Sequence, residues 1–250
     1  MKSYQLLGVR VDGVQIPEVV GRIEEWIHDG KTGRFIAVTG MHGVMEAQQD
    51  ASVKAILNAS DLVVPDGTPL VWVSRWYGLG LKRRVYGPEL METFFRETRD
   101  RYTHFFYGSA PGVADKLARA FQEKFGARVV GTYCPPFRPL NEDEEREFSQ
   151  TVNAARPDVL WVGLSTPKQE RWMYQYREKL AVPVMLGVGA AFDFHTGKVS
   201  QAPRWMREHG LEWFFRLISE PRRLWRRYLV LGSKFTWNVS LQLLKLKQFS

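Results

Sequence analysis

The chain has 250 residues, 44% hydrophobic and 25% charged, with a net charge of +8 and a single cysteine. That balance suits one large α/β domain or a core with an appendage, and it excludes a disordered chain. The lone Cys134 excludes an internal disulfide and a multi-cysteine metal site, which agrees with a reducing compartment, and it reads as a partly buried loop thiol. The N-terminal MKSYQLLGVRVDGV has no long apolar core, and no segment offers about 18 uninterrupted apolar residues, so neither a signal peptide nor a membrane span is expected.

In chain order, the predicted strands are 34–39, 62–65, 104–107, 128–132, 158–163 and 183–188, each rich in Val, Ile, Phe or Leu and apolar on both faces. Helical patterns lie between them at 44–58, 68–77, 88–101, 111–125, 142–155 and 167–178, several opened by proline. This alternation predicts an α/β fold over residues 1–199, a Rossmann-like parallel sheet with right-handed crossovers and helices on both faces. Ligands of such sheets bind beyond the carboxyl ends of the strands.

Thr39, Asp66, Gly108, Gly163 and the Gly187–Gly189 pair fall at those ends. They give the edge one carboxylate, one hydroxyl and glycines that admit a ligand to the backbone. In VVPDGTPLVW, Asp66 is either a crevice carboxylate or a turn residue before a helix. Thr68 is the better-placed helix cap, which favours the crevice. GVGAAF at 187–192 matches a dinucleotide fingerprint in part but lacks its third glycine, so an NAD enzyme is not supported. No two aspartates stand two apart, and the five histidines (His28, His42, His104, His195, His209) form no close pair at metal-ligand spacing. Phosphate chemistry would then fall to arginines, helix N-termini and backbone amides, with no metal and no cofactor expected. His42 and His195 follow strand ends but read more readily as structural groups.

The basicity belongs to the tail. Residues 200–250 hold ten Lys/Arg against three Glu, a net +7 that leaves the first 199 residues nearly neutral. Trp205, Trp213, Trp225 and Trp237 are interleaved with these arginines. From Pro221 onward, Leu224, Tyr228, Leu231 and Phe235 recur at three- or four-residue spacing, with Arg222, Arg223, Arg226 and Arg227 on other faces. A basic, aromatic, amphipathic helical appendage over 200–250 suits an anionic membrane surface. A nucleic-acid-binding α/β protein gripping a phosphate backbone with this tail is the alternative.

VVPDGTPLVW, RRVYGPELM, PDVLWVGLSTPKQERWM and GVGAAFDFHTGKVSQAPRWMREHGLEWFFRLISEPRRLWRRYL, in this order, resemble the WecG/TagA/CpsF glycosyltransferases over about residues 8–229. The resemblance implies a bacterial enzyme, cytoplasmic and peripheral on the inner face of the plasma membrane. Such an enzyme transfers a sugar from a UDP-sugar to an undecaprenyl-diphosphate-linked sugar, with inversion and without a metal. Its products are linkage units, capsules, common antigen or exopolysaccharide, and nucleic acid is not a partner. Asp66 would be the base, a role that burial would tune toward neutrality. Thr39, Gly108, Gly163, Gln169 and Asp193 would hold the donor, with Asp193 at the uracil. Arg84 would bind diphosphate, and Arg216, Arg223 and Arg226 would bring the appendage to the acceptor diphosphate.

One residue departs from the pattern: Met41 stands where many relatives carry an asparagine. Methionine lacks the amide donors, so the donor sugar stays open between an N-acetylated mannosamine, a plain hexose and a uronic acid. His42 is placed to take over part of that role. Oligomeric state stays open too, a homo-oligomer included.

Overall fold

A computed structural model describes residues 1–249; Ser250, the last residue of the expected appendage, lies outside the described residues. Among these, six strands form one parallel sheet in the order β4 (Leu62–Pro65), β3 (Arg34–Thr39), β8 (Val184–Gly187), β7 (Val159–Gly163), β5 (Thr103–Gly108), β6 (Arg128–Tyr133). Each predicted strand overlaps one of these, and the α/β fold stands as expected.

The central strands are apolar throughout because both faces are covered. Ile36, Val38, Leu62, Val64, Trp161 and Leu186 point to one side, where α1 (Ile16–His28), α5 (Gly87–Thr98) and α6 (Val113–Phe125) bury Val19, Ile23, Phe94, Phe95, Leu117 and Phe121 against them. Phe35, Leu160, Val162 and Met185 alternate to the other side. There α7 (Glu142–Ala155) and α8 (Lys168–Tyr176) supply Phe148, Val152, Met173 and Tyr176. Trp161 is fully buried, and its Nε1–H donates to His104 Nδ1 at 3.2 Å. Burial pushes that histidine down to about 3, so it is neutral, and truncating such a tryptophan costs about 3–5 kcal/mol.

Three features depart from the sequence reading. The segment predicted as one helix over 44–58 is two, α2 (Met41–Gln49) and α3 (Ala51–Ala59). Asp50 between them is extended (φ −138°, ψ 108°), and its carboxylate accepts from the Ser52 amide at 2.8 Å. A short acceptor that competes with the helical carbonyls breaks the run. Thr68 is not the helix cap either: α4 (Thr68–Trp76) has Gly67 as its N-cap, with Thr68 as its first residue. Finally, an antiparallel hairpin of β1 (Ser3–Leu6) and β2 (Val9–Asp12), followed by α1, precedes the first predicted strand. Its turn, Leu7 (φ 52°) and Gly8 (φ 78°), lacks the Asn-Gly or Asp-Gly signature, and its strands have four residues each.

Beyond β8 the chain forms α9 (Ala191–His195), α10 (Arg204–Glu208), α11 (Glu212–Ser219) and α12 (Pro221–Trp225). A π-helical turn over Arg226–Leu231 then leads into α13 (Gly232–Leu243). The tail packs back onto the rest of the chain. Phe235 and Val239 share one apolar cluster with Tyr4, Leu6, Ala37 and Leu70. The Gln242 amide donates to Gln5 O and its Oε1 accepts from the Leu7 amide, both at 2.7 Å. Among the described residues no helix is long and apolar enough to cross a membrane.

Candidate active site

The carboxyl end of β4 is fastened from two sides. The Asp66 amide donates to Thr39 O at 2.9 Å, and the Val85 amide donates to Pro65 O at 2.8 Å. The second bond brings the 77–86 loop, with Arg84 and Tyr86, over the strand end. The Gly87 amide, at the start of α5, donates to Asp66 Oδ1 at 3.3 Å. Asp66 therefore caps neither its own turn nor α4. It lines a cavity of ≈ 570 Å³, together with Arg84, Glu212, Arg216, Arg227 and His42. The first residues of α2 and α4 line it as well, and neither helix has a side-chain cap, so their free amides carry positive potential toward it. Part of the cavity lining is apolar, from Trp72, Val73, Phe235 and Val239.

Glu212, in the first turn of α11, is 7% exposed. Its carboxylate pairs with the Arg84 guanidinium and accepts from Tyr86 OH at 2.9 Å. Arg84 also lies over the Tyr86 ring, 4.2 Å from its centroid. This triad ties the tail to the core in the wall of the Asp66 cavity.

Charges in this enclosure perturb one another. Burial pushes the Asp66 carboxyl up to about 7; Arg84 opposes that shift and Glu212 adds to it. Burial pulls Arg84 down, but Glu212 and Asp66 outweigh it, leaving that guanidinium more firmly protonated. Burial lowers Arg227, which is still a cation given its starting value. His42 is pushed down to about 4 by burial and by Arg227, so it is neutral near pH 7. Its Nε2 lies 3.3 Å from Glu46 Oε1 while its Nδ1 is buried without a partner. Donating through Nε2 leaves Nδ1 as an acceptor.

The expected site residues divide into groups. Asp66, Arg84 and Arg216 share the cavity; Arg216 stands 5.5 Å from the Phe194 ring and 3.8 Å from Glu220. Arg223 and Arg226 are exposed outside it, and Arg223 pairs with Glu220 at 2.6 Å. Arg227, three residues after the buried Leu224, takes the place in the cavity, and a π turn runs from Arg226 to Leu231. Thr39 is buried beside Asp66, with its hydroxyl unpartnered. Gln169 is buried and holds the end of β8: its Nε2 donates to Gly187 O at 3.2 Å, and its Oε1 accepts from the Gly189 amide at 3.0 Å. Asp193, within α9, accepts from Ser109 Oγ at 2.9 Å and pairs with Lys198 at 3.3 Å. Packing accounts for the two strand-end glycines. A Cβ on Gly163 would lie 2.7 Å from the Phe192 ring, and one on Gly108 (φ 110°) 2.8 Å from Gly163 O. His195 is structural, its Nε2 lying 3.0 Å from Pro88 O. Cys134 is a half-buried thiol that donates to Ser109 O at 3.4 Å.

Sequence reasoning missed Glu212, Tyr86 and Arg227. Glu212 lies 128 residues from Arg84, and no local spacing announces the pair.

The family model described as "Glycosyl transferase WecG/TagA/CpsF family" matches residues 4–249. The N-acetylglucosaminyldiphosphoundecaprenol N-acetyl-beta-D-mannosaminyltransferase of Bacillus spizizenii is 30% identical over 217 residues, which are 86% of this chain and 82% of that protein. The protein of the same name from Bacillus subtilis is 27% identical over 208 residues, covering 83% and 79%.

Proposed function

Because this chain belongs to the WecG/TagA/CpsF family of glycosyltransferases, we propose that it moves a sugar from a UDP-sugar to a sugar carried on undecaprenyl diphosphate. The reaction inverts the anomeric centre, needs no metal and serves a bacterial cell-surface polysaccharide. The observation that carries this reading is the Asp66 carboxyl, brought near neutrality in a cavity that also gathers Arg84, Arg216 and Arg227.

Asp66 is the base. It takes the proton of the acceptor hydroxyl as that oxygen bonds to the anomeric carbon, while the carbon–oxygen bond to the diphosphate breaks and its electron pair leaves on UDP. A carboxyl near pKa 7 suits this work, ionised often enough to act and basic enough to hold the proton. Arg84, Arg216, Arg227 and the open starts of α2 and α4 offset the charge that develops on the diphosphates. Glu212 positions Arg84, and Gln169 positions the β8 end.

Thr39, with its free hydroxyl, and His42, with its free acceptor, face the donor sugar. Asp193 receives the uracil, while Gly108 and Gly163 shape the strand edge. Met41, which also lines the cavity, offers no amide to an N-acetyl group, so donor choice rests on Thr39 and His42. The apolar part of the cavity lining takes the first units of the lipid chain, and the exposed Arg223 and Arg226 meet the membrane or the acceptor at the cytoplasmic face.

A panel of UDP-sugars, UDP-N-acetylmannosamine among them, incubated with a short-chain lipid-diphosphate sugar acceptor tests the reading. Acceptor-dependent release of UDP from one donor is expected. A panel with no such release would overturn it.

A further inference from the structure

Beside the Asp66 cavity, sharing Thr68, Trp72, Arg84 and Tyr86 with it as a common wall, lies a second chamber of ≈ 450 Å³. Cations reach it from separate pieces of chain: Arg75 from α4, Lys82 from the loop before α5, Arg96 from α5 and Arg207 from α10. Of the carboxylates that line it, Glu92 pairs with Lys124 at 2.8 Å, and Glu89 with Arg83, also in the lining, at 4.0 Å. Arg207 Nε is buried with no hydrogen-bond partner. Among the described residues that line it, cations outnumber carboxylates, and such an excess of like charge in a partly desolvated chamber is relieved by a bound anion. Arginine-rich chambers match phosphate oxygens, which accept paired N–H donors.

The rim says where the phosphate comes from. Trp72 and Trp76, one turn apart on α4, are 60% and 66% exposed, and Trp205 on α10 is 58% exposed. Three large rings left in water beside a basic chamber are costly for a protein that stays in water. At a bilayer interface, indoles settle among headgroups and cations meet phosphates.

We infer that this chamber binds the phosphate-bearing headgroup of an anionic membrane lipid, and that α4 and α10 press the neighbouring catalytic cavity against the bilayer. The inference rests on the lipid-linked acceptor proposed above. It adds a headgroup site built jointly by α4 and α5 of the core and by α10, the first helix of the tail.

Flotation of the full chain with vesicles of phosphatidylcholine containing phosphatidylglycerol tests it, with transfer to a water-soluble acceptor analogue measured in parallel. Arg75→Gln with Lys82→Gln removes two exposed cations that the catalytic proposal does not use. Partition should fall about thirtyfold, from roughly fivefold per cation at an anionic surface, with turnover on the soluble acceptor unchanged. Arg119→Gln with Arg128→Gln, exposed on α6 and at the start of β6, removes equal charge elsewhere and should leave partition within about twofold of the parent. Equal losses in both double variants would mean diffuse attraction and overturn the headgroup site, as would no loss in either. If the chamber variant floated normally but lost binding of inorganic diphosphate in solution, the ligand would be a free anion, and the inference would also fall. Absent transfer by the parent chain would count against the proposed reaction instead, whatever the vesicles showed.

Discussion

Replacing Asp66 by asparagine should stabilise the protein at neutral pH by an amount that grows with pH. Asn keeps the shape and the oxygen that accepts from the Gly87 amide, and it cannot ionise. In the parent, the carboxyl titrates near 3.8 when unfolded and about 7 when folded. Between those values the unfolded chain has released its proton and the folded chain has not, so parental stability falls as pH rises through the window. About three pKa units at 1.36 kcal/mol each set a ceiling of about 4 kcal/mol, fully expressed above pH 7 and absent below pH 3.8. For a chain of this length that is about 8 °C in Tm. Denaturant or thermal unfolding of both proteins between pH 4.5 and 8.5 reads the difference directly. A Tm difference that stayed flat across this range, or an asparagine variant that lost stability relative to the parent as pH rose, would refute the claim that burial holds this carboxyl near neutrality.

Glu212→Gln removes the charge that raises Asp66 and frees Arg84, which lowers it, so the acidic limb of the rate profile should move to lower pH; a limb that stayed in place would separate Glu212 from the base. Arg227→Gln should lower turnover on a water-soluble acceptor by about tenfold or more, the cost of one charge-assisted contact, and Arg226→Gln by less than about twofold; steady-state rates with the reverse ranking would return the role to the exposed arginine. EDTA should leave acceptor-dependent UDP release unchanged, because Arg84, Arg216 and Arg227 are placed to offset diphosphate charge. Inhibition by the chelator with rescue by Mg²⁺ or Mn²⁺ would contradict that.

The parts of this molecule written in short-range pattern were readable in advance. The six strands of the parallel sheet announced themselves as apolar runs, and Asp66 stood out because a carboxylate ended one of them. Features that depend on pairings across the chain were not readable. Glu212 reads as an ordinary helix-start acid until α11 lies against Arg84 and Tyr86. Arg227 reads as one of several arginines off the apolar stripe, yet it stands three residues after Leu224 and four before Leu231, beside that stripe, and it lines the cavity. The short hairpin was invisible because its turn residues carry no strong signature. Division of the chain at residue 199 followed charge, yet Phe235 and Val239 complete the apolar cluster of the hairpin and α2. Cutting there would uncover that cluster, so point substitutions in the tail test its role more cleanly than truncation does.

The central claim is that Asp66 removes the acceptor proton. Single-turnover release of UDP, with donor and lipid-diphosphate acceptor both saturating, compares the parent with Asp66→Asn most directly. A fall of about 10²–10⁴-fold is expected in the variant, with donor binding retained. A variant that released UDP at close to the parental rate would contradict it.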